Sequence, residues 1–215
     1  SEDLISFKGT LPFVLLAIAD AFATNVDVLV ISAYHNKYYP APKTIIKALS
    51  DNYKIVIEEL ANKPLLDLRS SLHCWVSDEI NDKPFKHILC IEGIKTSIEK
   101  YGTGENALED LFGTISLLQY KKIKASSIAL PILGAGFQNN AIEVILPQLI
   151  KKAIDSLNAN PVLNTIYFVE LDSDKAQMID ETINKYLKRS NDKLELVFED
   201  PLVASILELI LAKLV

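Results

Sequence analysis

The sequence predicts an α/β fold of three layers, α/β/α, in which helices cover both faces of a mixed, mainly parallel central sheet. Apolar, β-branched segments alternate with segments of helical periodicity, which is the pattern of parallel strands joined by crossover helices. The chain of 215 residues can bury a core without disulfides, and its 49% hydrophobic and 23% charged residues are typical of a folded soluble protein.

The clearest predicted strand is Val26–Ser32, which is apolar apart from Asp27, as expected for a strand buried on both faces. The other predicted strands, in chain order, are Leu4–Lys8, Leu72–Val76, His87–Ile91, Ser126–Pro131, Thr165–Leu171 and Leu194–Phe198.

The clearest predicted helix is Asn106–Tyr120, whose leucine, isoleucine and phenylalanine side chains fall on one face. In the predicted helix Ala141–Leu157, Pro147 is expected to bend the helix or delay its start. The other predicted helices are Pro12–Phe22, Pro42–Leu49, a polar stretch that follows it to about Ala61, Ala176–Leu187 and Leu202–Leu214.

The simplest organisation is a single domain over residues 1–187, with residues 188–215 as a strand-helix extension packed on it or extending it. The apolar run Leu11–Ala23 is too short to span a bilayer, so we expect a buried helix and a cytoplasmic chain. The chain starts at Ser1 rather than at Met, which leaves open a preceding membrane segment or effector domain in a membrane-anchored full-length protein. The apolar helix Leu202–Leu214 either packs on its own domain, the favoured alternative, or mediates a homo-oligomer.

Charge and cysteine content restrict the partners. The net charge of -6 argues against a nucleic-acid surface, which needs clustered Lys and Arg. An anionic small molecule is still allowed, because backbone amides bind phosphate without net positive charge. Cys74 and Cys90 are interpreted as two buried thiols in preference to a metal site with His73 and His87, since His73 and Cys74 are adjacent and would point apart on a predicted strand.

Ligands of parallel sheets bind beyond the carboxyl ends of the strands, so the loops after strands are the candidate sites. The turn Leu133–Gln138 contains Gly134, Ala135, Gly136 and Phe137 between a strand and a helix. Two glycines let the backbone approach a ligand, and a helix N-terminus offers free N–H groups to a pyrophosphate. Taken alone, a plain tight turn is the slightly favoured alternative.

A second candidate is the loop Ala33–Pro42, with aromatic and polar side chains at Tyr34, His35, Asn36, Tyr38 and Tyr39. These could wall a ribose or base, or the tyrosines could simply cover apolar surface.

Three further features favour structural interpretations. In Leu171–Asp174, helix capping is preferred to contact with a base at Leu171 and Asp172. In Tyr101–Asn106, a helix entry is preferred to an anion site. No catalytic triad is visible, and the acidic pairs Glu58–Glu59 and Glu109–Asp110 are expected on solvated helix faces.

The ordered series of segments resembles the macro domain family over about residues 7–187. The stretch from Asn106 to Leu187, with ENALEDLFGTISLLQYKKIKASSIALPILGAGF and NTIYFVELDSDKAQMIDETINKYL, is similar to the second half of that fold, and FKGT, VDVLVISAYHN and FKHILCIEG match the first half more loosely. The resemblance implies binding of ADP-ribose or a derivative, with no cofactor. It places the loop at Ala33–Pro42 and the turn at Leu133–Gln138 on the phosphates, Leu171 and Asp172 near the adenine, and Thr10 and Leu11 after the first strand.

Two departures from the family bear on activity. Gly9-Thr10-Leu11 lacks the Asp that often holds the adenine amino group there. Hydrolytic members often carry Asn-Ala-Ala-Asn and a glycine-rich loop, where this chain has Ile31–Tyr34 followed by the stiffer Tyr38–Pro42.

The resemblance and its departures together predict a binding module that senses an ADP-ribose-derived nucleotide without hydrolysing it. Such a module is similar to the receptor part of Thoeris anti-phage systems, which respond to a signal made by TIR domains. The alternative function is an ADP-ribosyl hydrolase in which His35 or Asn36 orients a water, and a third is an interaction domain whose pocket has decayed.

Overall fold

The computed structural model describes residues 4–8, 14–17, 25–42, 44–93, 104–133, 142–170, 173–189 and 195–197. The strands of this part of the chain are β1 Leu4–Lys8, β2 Val14–Ala17, β3 Val26–Tyr34, β4 Leu66–Leu68, β5 Cys74–Val76, β6 Phe85–Gly93, β7 Ser127–Pro131, β8 Thr165–Val169 and β9 Glu195–Val197. The helices are α1 Ile45–Tyr53, α2 Ile57–Asn62, α3 Arg69–Leu72, α4 Gly104–Leu118, α5 Ile142–Ala159 and α6 Ser173–Arg189, with a 3₁₀ turn at Gln119–Lys121.

The strands within these ranges form one mixed sheet in the order β4-β5-β6-β3-β7-β8-β2-β1-β9. The central strands β6, β3, β7, β8 and β2 are parallel to their neighbours. Strands β5 and β4 add an antiparallel edge on one side, and β1 and β9 add another on the other side. The prediction of a mixed, mainly parallel sheet is confirmed.

Each face of the sheet has its own core, which confirms the three-layer α/β/α architecture. Val28 and Val30 of β3 pack with α4, α5 and α6, whereas Leu29, Ile31 and Ala33 pack with α1 and α2. Alternate residues of a strand point to opposite faces, so a strand covered on both faces must be apolar at nearly every position. This requirement explains the continuous apolar run that identified β3 in the sequence.

The predicted helix Pro12–Phe22 is wrong over its centre, because Val14–Ala17 is the strand β2. Its residues pair in parallel with β8 and antiparallel with β1. A short, wholly apolar run has no periodicity that distinguishes a buried strand from a buried helix. Here the segment forms a strand because it pairs with β8 on one side and with β1 on the other.

The segment before β6 also differs from the prediction. Instead of one strand over Leu72–Val76, the chain forms β4, the single-turn helix α3 and β5, with His73 in the left-handed region at φ 50°. Helix α1 begins at Ile45 rather than at Pro42, because the Thr44 hydroxyl accepts a hydrogen bond from the Lys47 amide at 3.1 Å and caps the helix. Pro147 lies inside α5 and does not delay its start.

The predicted C-terminal strand is confirmed as β9, which joins the same sheet through β1. The division at Leu187 stays a prediction, and the predicted helix Leu202–Leu214 lies outside the described residues. None of the described helices combines the length and the apolarity that crossing a bilayer requires.

Candidate functional site

The candidate site is the edge of the sheet where the parallel strands β6, β3, β7 and β8 end. Tyr34 at the end of β3 lies beside Gly93 of β6, and Pro131 at the end of β7 lies beside Val169 of β8. Strands β3 and β7 are themselves neighbours. The loop Ala33–Pro42 and the turn Leu133–Gln138 therefore leave the sheet from adjacent strands at one edge, as a shared ligand site requires.

The structure describes only some of the predicted site residues. Leu133 is 6% exposed just beyond β7 and packs in the core of the α4–α6 face. Three groups lie outside the described residues: Gly134–Gln138, Leu171 with Asp172, and Thr10 with Leu11. Thr10 and Leu11 precede β2 in the sequence, and their part in a ligand site stays a prediction.

The loop after β3 makes a tight turn at the sheet edge. The His35 amide donates to the Gly93 carbonyl at 2.9 Å, and the Lys37 amide donates to the Tyr34 carbonyl at 2.8 Å. Asn36 has φ 54°, a left-handed conformation that Asn tolerates better than most residues. This requirement accounts for Asn at the tip of the turn.

Glu92 at the end of β6 organises this loop. Its side chain is 1% exposed, and it lies in register beside Ala33. One carboxylate oxygen lies 2.8 Å from Nδ1 of His35 and accepts the Asn36 amide at 3.3 Å, while the other accepts the hydroxyl of Tyr38. A buried carboxylate is costly unless it is hydrogen-bonded, so these contacts hold the loop in one conformation.

Arg69 of α3 supplies the nearest described positive charge to Glu92, with Nη1 3.9 Å from the carboxylate. The same guanidinium makes a bidentate contact with Asp67, at 2.9 Å and 2.5 Å, and its hydrogen bonds lower the pKa of that carboxyl. Nη1 also lies 3.5 Å from the Tyr38 hydroxyl. The β4–α3 segment thus reaches the loop after β3 through one side chain.

The three tyrosines of the loop have different surroundings. Burial, reinforced by the hydrogen bond to Glu92, raises the pKa of Tyr38, so the phenol remains protonated and donates to the carboxylate. Its ring packs edge-to-face against Trp75 with centroids 5.9 Å apart. Tyr38 therefore covers apolar surface, whereas Tyr34 and Tyr39 are 38% and 77% exposed at the edge of the sheet.

Glu92 and Arg69 are not among the site residues predicted from the sequence. Glu92 had a usable signal, since it is the one acidic residue of an apolar strand and stands at its carboxyl end. Arg69 had none, because α3 is a single turn without periodicity. Asp110 was also misjudged: it is half-buried and lies 2.7 Å from Nδ1 of His73, rather than on a solvated helix face.

The two cysteines are free and buried, as predicted. Burial raises the pKa of the Cys74 thiol to about 12 and that of Cys90 well above its usual value, so neither is a ready nucleophile. Within the described ranges, no three His, Cys, Asp or Glu side chains come together in a group that could hold a metal ion.

No family model matches the sequence, and no curated protein matches it. Solved structures do. A macrodomain of Oceanobacillus iheyensis with MES bound is 14% identical with a TM-score of 0.63, covering 88% of this chain and 100% of its own. A mutant of that macrodomain with ADPR is 14% identical with a TM-score of 0.57, covering 85% and 98%. A Trypanosoma brucei macrodomain in complex with ADP is 13% identical with a TM-score of 0.61, covering 79% and 68%. At these identities the likeness shows a macrodomain fold.

Proposed function

We propose that this chain binds an ADP-ribose-like nucleotide at the carboxyl ends of β3 and β7. The observation that carries the proposal is the adjacency of two loops: the loop held by Glu92 and the turn that begins at Leu133 leave neighbouring parallel strands. The fold is shared with macrodomains that contain ADP or ADPR.

The proposed ligand lies across the ends of three strands. The turn Gly134–Phe137, with Gln138, cradles the diphosphate, because the long helix α5 follows it and helix N-termini attract anions. Leu171 and Asp172 follow β8 and face the adenosine end. The loop with Tyr34 and Tyr39 follows β3 and faces the other end of the ligand. Thr10 and Leu11 remain predicted contacts of the same ligand.

Sensing without hydrolysis is supported by the residues at the end of β3. Ile31, which is apolar and buried, and Tyr34, which is 38% exposed, occupy the two positions where hydrolytic macro domains often carry Asn. The carboxylate of Glu92 is occupied by four contacts with its own chain. We place such a sensor in signalling by TIR-generated nucleotides, as in anti-phage defence.

One contact favours the second candidate function, an ADP-ribosyl hydrolase. The Nδ1 atom of His35 lies 2.8 Å from a buried carboxylate, and the imidazole is 52% exposed. A carboxylate that orients a histidine in this way is a frequent feature of general bases.

Calorimetric titration with ADP-ribose, NAD and amino-acid conjugates of ADP-ribose separates the two functions when the mixtures are afterwards analysed for cleavage. Saturable binding with intact ligand supports the sensor. Turnover that is lost in His35→Ala supports the hydrolase. Absence of binding to every ligand would overturn both.

A further inference from the structure

We propose that Glu92 is a positioning residue that fixes the tautomer of His35, so that Nε2 of this imidazole accepts a hydrogen bond from a hydroxyl of the bound nucleotide. The inference rests on the proposed function and adds to it the chemical group that the loop after β3 recognises. In this contact Nε2 of His35 is the hydrogen-bond acceptor, and the ligand hydroxyl is the donor.

The contact with Glu92 decides which nitrogen of His35 carries the proton. An ionised carboxylate only accepts hydrogen bonds, so the nitrogen 2.8 Å away, Nδ1, must be the donor. In a neutral imidazole the other nitrogen is then an acceptor. Nε2 lies 3.0 Å from Nδ2 of Asn36, and the amide donates to it in this arrangement.

The anchoring of one side of the ring leaves the other side at the sheet edge. The partner of Nδ1 is almost fully buried, whereas the His35 side chain is 52% exposed. Asn36, which covers Nε2, is itself exposed and adjacent in sequence. A ligand donor can replace this amide at little cost, because both groups of the displaced hydrogen bond regain partners in ligand and water.

The order of the strands indicates which part of the ligand supplies the hydroxyl. With the diphosphate at β7 and the adenosine towards β8, the ligand continues from the diphosphate towards β3. In ADP-ribose that part of the ligand is the second ribose, which carries several hydroxyl donors. ADP lacks this ribose, so it serves as a matched ligand without the predicted contact.

Long-range ¹⁵N–¹H NMR of the histidine rings tests the tautomer without any ligand. At about pH 8, where an imidazole is ordinarily neutral, we expect the proton of His35 on Nδ1 in the wild type. Glu92→Leu removes the acceptor, and the proton should then redistribute to Nε2, whereas Glu92→Gln retains a carbonyl acceptor and should restore the Nδ1–H form. His35→Phe assigns the signal.

The His73–Asp110 pair is the internal control, because it has the same Nδ1-to-carboxylate contact at 2.7 Å. Asp110→Asn should leave the His35 signals unchanged. A wild-type His35 protonated on Nε2, or a His35 tautomer indifferent to Glu92→Leu in a folded protein, would overturn the inference whatever the ligand does. If Glu92→Leu fails to fold, the wild-type tautomer still tests the inference, because a His35 protonated on Nε2 overturns it.

Calorimetry with two ligands then tests the hydroxyl contact. We expect His35→Phe and Glu92→Leu to weaken ADP-ribose binding about tenfold, the size of one lost hydrogen bond in a closed site, and to leave ADP binding unchanged. Equal losses for ADP and ADP-ribose would overturn the contact. If neither ligand binds the wild type, the proposed function fails, while the tautomer result stands on its own.

Discussion

Strands β3 and β6 bring one buried carboxylate to each end of the sheet, and the two carboxylates serve different purposes. At the amino end, Asp27 accepts the amide of Ser126 at 2.9 Å and the hydroxyl of the same residue. At the carboxyl end, Glu92 accepts from side chains of the loop after β3. Asp27 thus ties one strand to the start of the next, whereas Glu92 arranges a loop.

The cations near the two carboxylates also differ in how firmly they are held. Lys86 and Lys124 lie 3.4 and 3.5 Å from Asp27, but both are well exposed and can return to water. Arg69 near Glu92 is held by Asp67 and is only 23% exposed. We therefore expect Asp27, which lies within the sheet, to affect the stability of the fold. We expect Glu92, which lies under the loop after β3, to affect how the side chains of that loop are arranged for a ligand.

The largest expected effect on stability is at the amino end. Asp27→Ala leaves the Ser126 amide without its acceptor, so we expect a loss of about 1–3 kcal/mol in the free energy of unfolding. Urea denaturation measures it, and ADP-ribose affinity should not change. A large loss of ADP-ribose affinity in folded Asp27→Ala would contradict the assignment of Asp27 to stability and of Glu92 to the ligand site.

Acidification should act through the same residue. Burial acts to raise the pKa of Asp27, but the hydrogen bonds from Ser126 and the charges of Lys124 and Lys86 outweigh it, and the pKa is lowered. A group with a depressed folded pKa contributes stability above its unfolded pKa of about 3.9 and loses it as pH falls through the folded value. Unfolding followed from pH 7 down to pH 3 should therefore show a shallower loss of stability in Asp27→Asn than in the wild type. An unchanged pH profile would show that another carboxyl dominates.

A smaller effect is expected at Arg69. Arg69→Met removes the contact with Tyr38 and the cation near Glu92, and we expect ADP-ribose affinity to fall only about two- to fivefold, because the loop keeps its hydrogen bonds to the carboxylate. The free energy of unfolding should change by less than about 1 kcal/mol, since the Asp67 partner is half-exposed. Lys47→Met, which breaks the exposed ion pair with Asp51 at 2.5 Å on α1, is the matched control and should leave affinity unchanged. If Arg69→Met binds ADP-ribose as tightly as the wild type, α3 does not contribute to ligand binding through this side chain.

The sequence was sufficient for elements with a clear pattern and insufficient for short ones. The buried strand β3 and the amphipathic helix α4 were predicted because each has a run of apolar residues at its own period. Strand β2 was assigned to a helix, because four apolar residues fit either structure. Helix α3 and strand β4 were missed because three or four residues contain no period.

The site was predictable only where backbone topology alone brings residues together. The rule that loops follow the carboxyl ends of parallel strands placed His35 and Leu133 at one edge. The contact between His35 and Glu92 joins residues far apart in sequence and depends on the register of β3 against β6, which no local pattern encodes. The site roles of residues 10, 11, 134–138, 171 and 172 remain predictions.

The proposed position of the nucleotide's diphosphate, in the turn after β7, is tested most directly by one pair of variants. Gly136→Glu places a carboxylate in this turn, and Val162→Glu places the same charge on an exposed residue before β8, at the opposite end of the sheet. Calorimetry with ADP-ribose should show no measurable binding for Gly136→Glu, wild-type affinity for Val162→Glu, and cooperative unfolding for both. Wild-type affinity in Gly136→Glu would contradict the account.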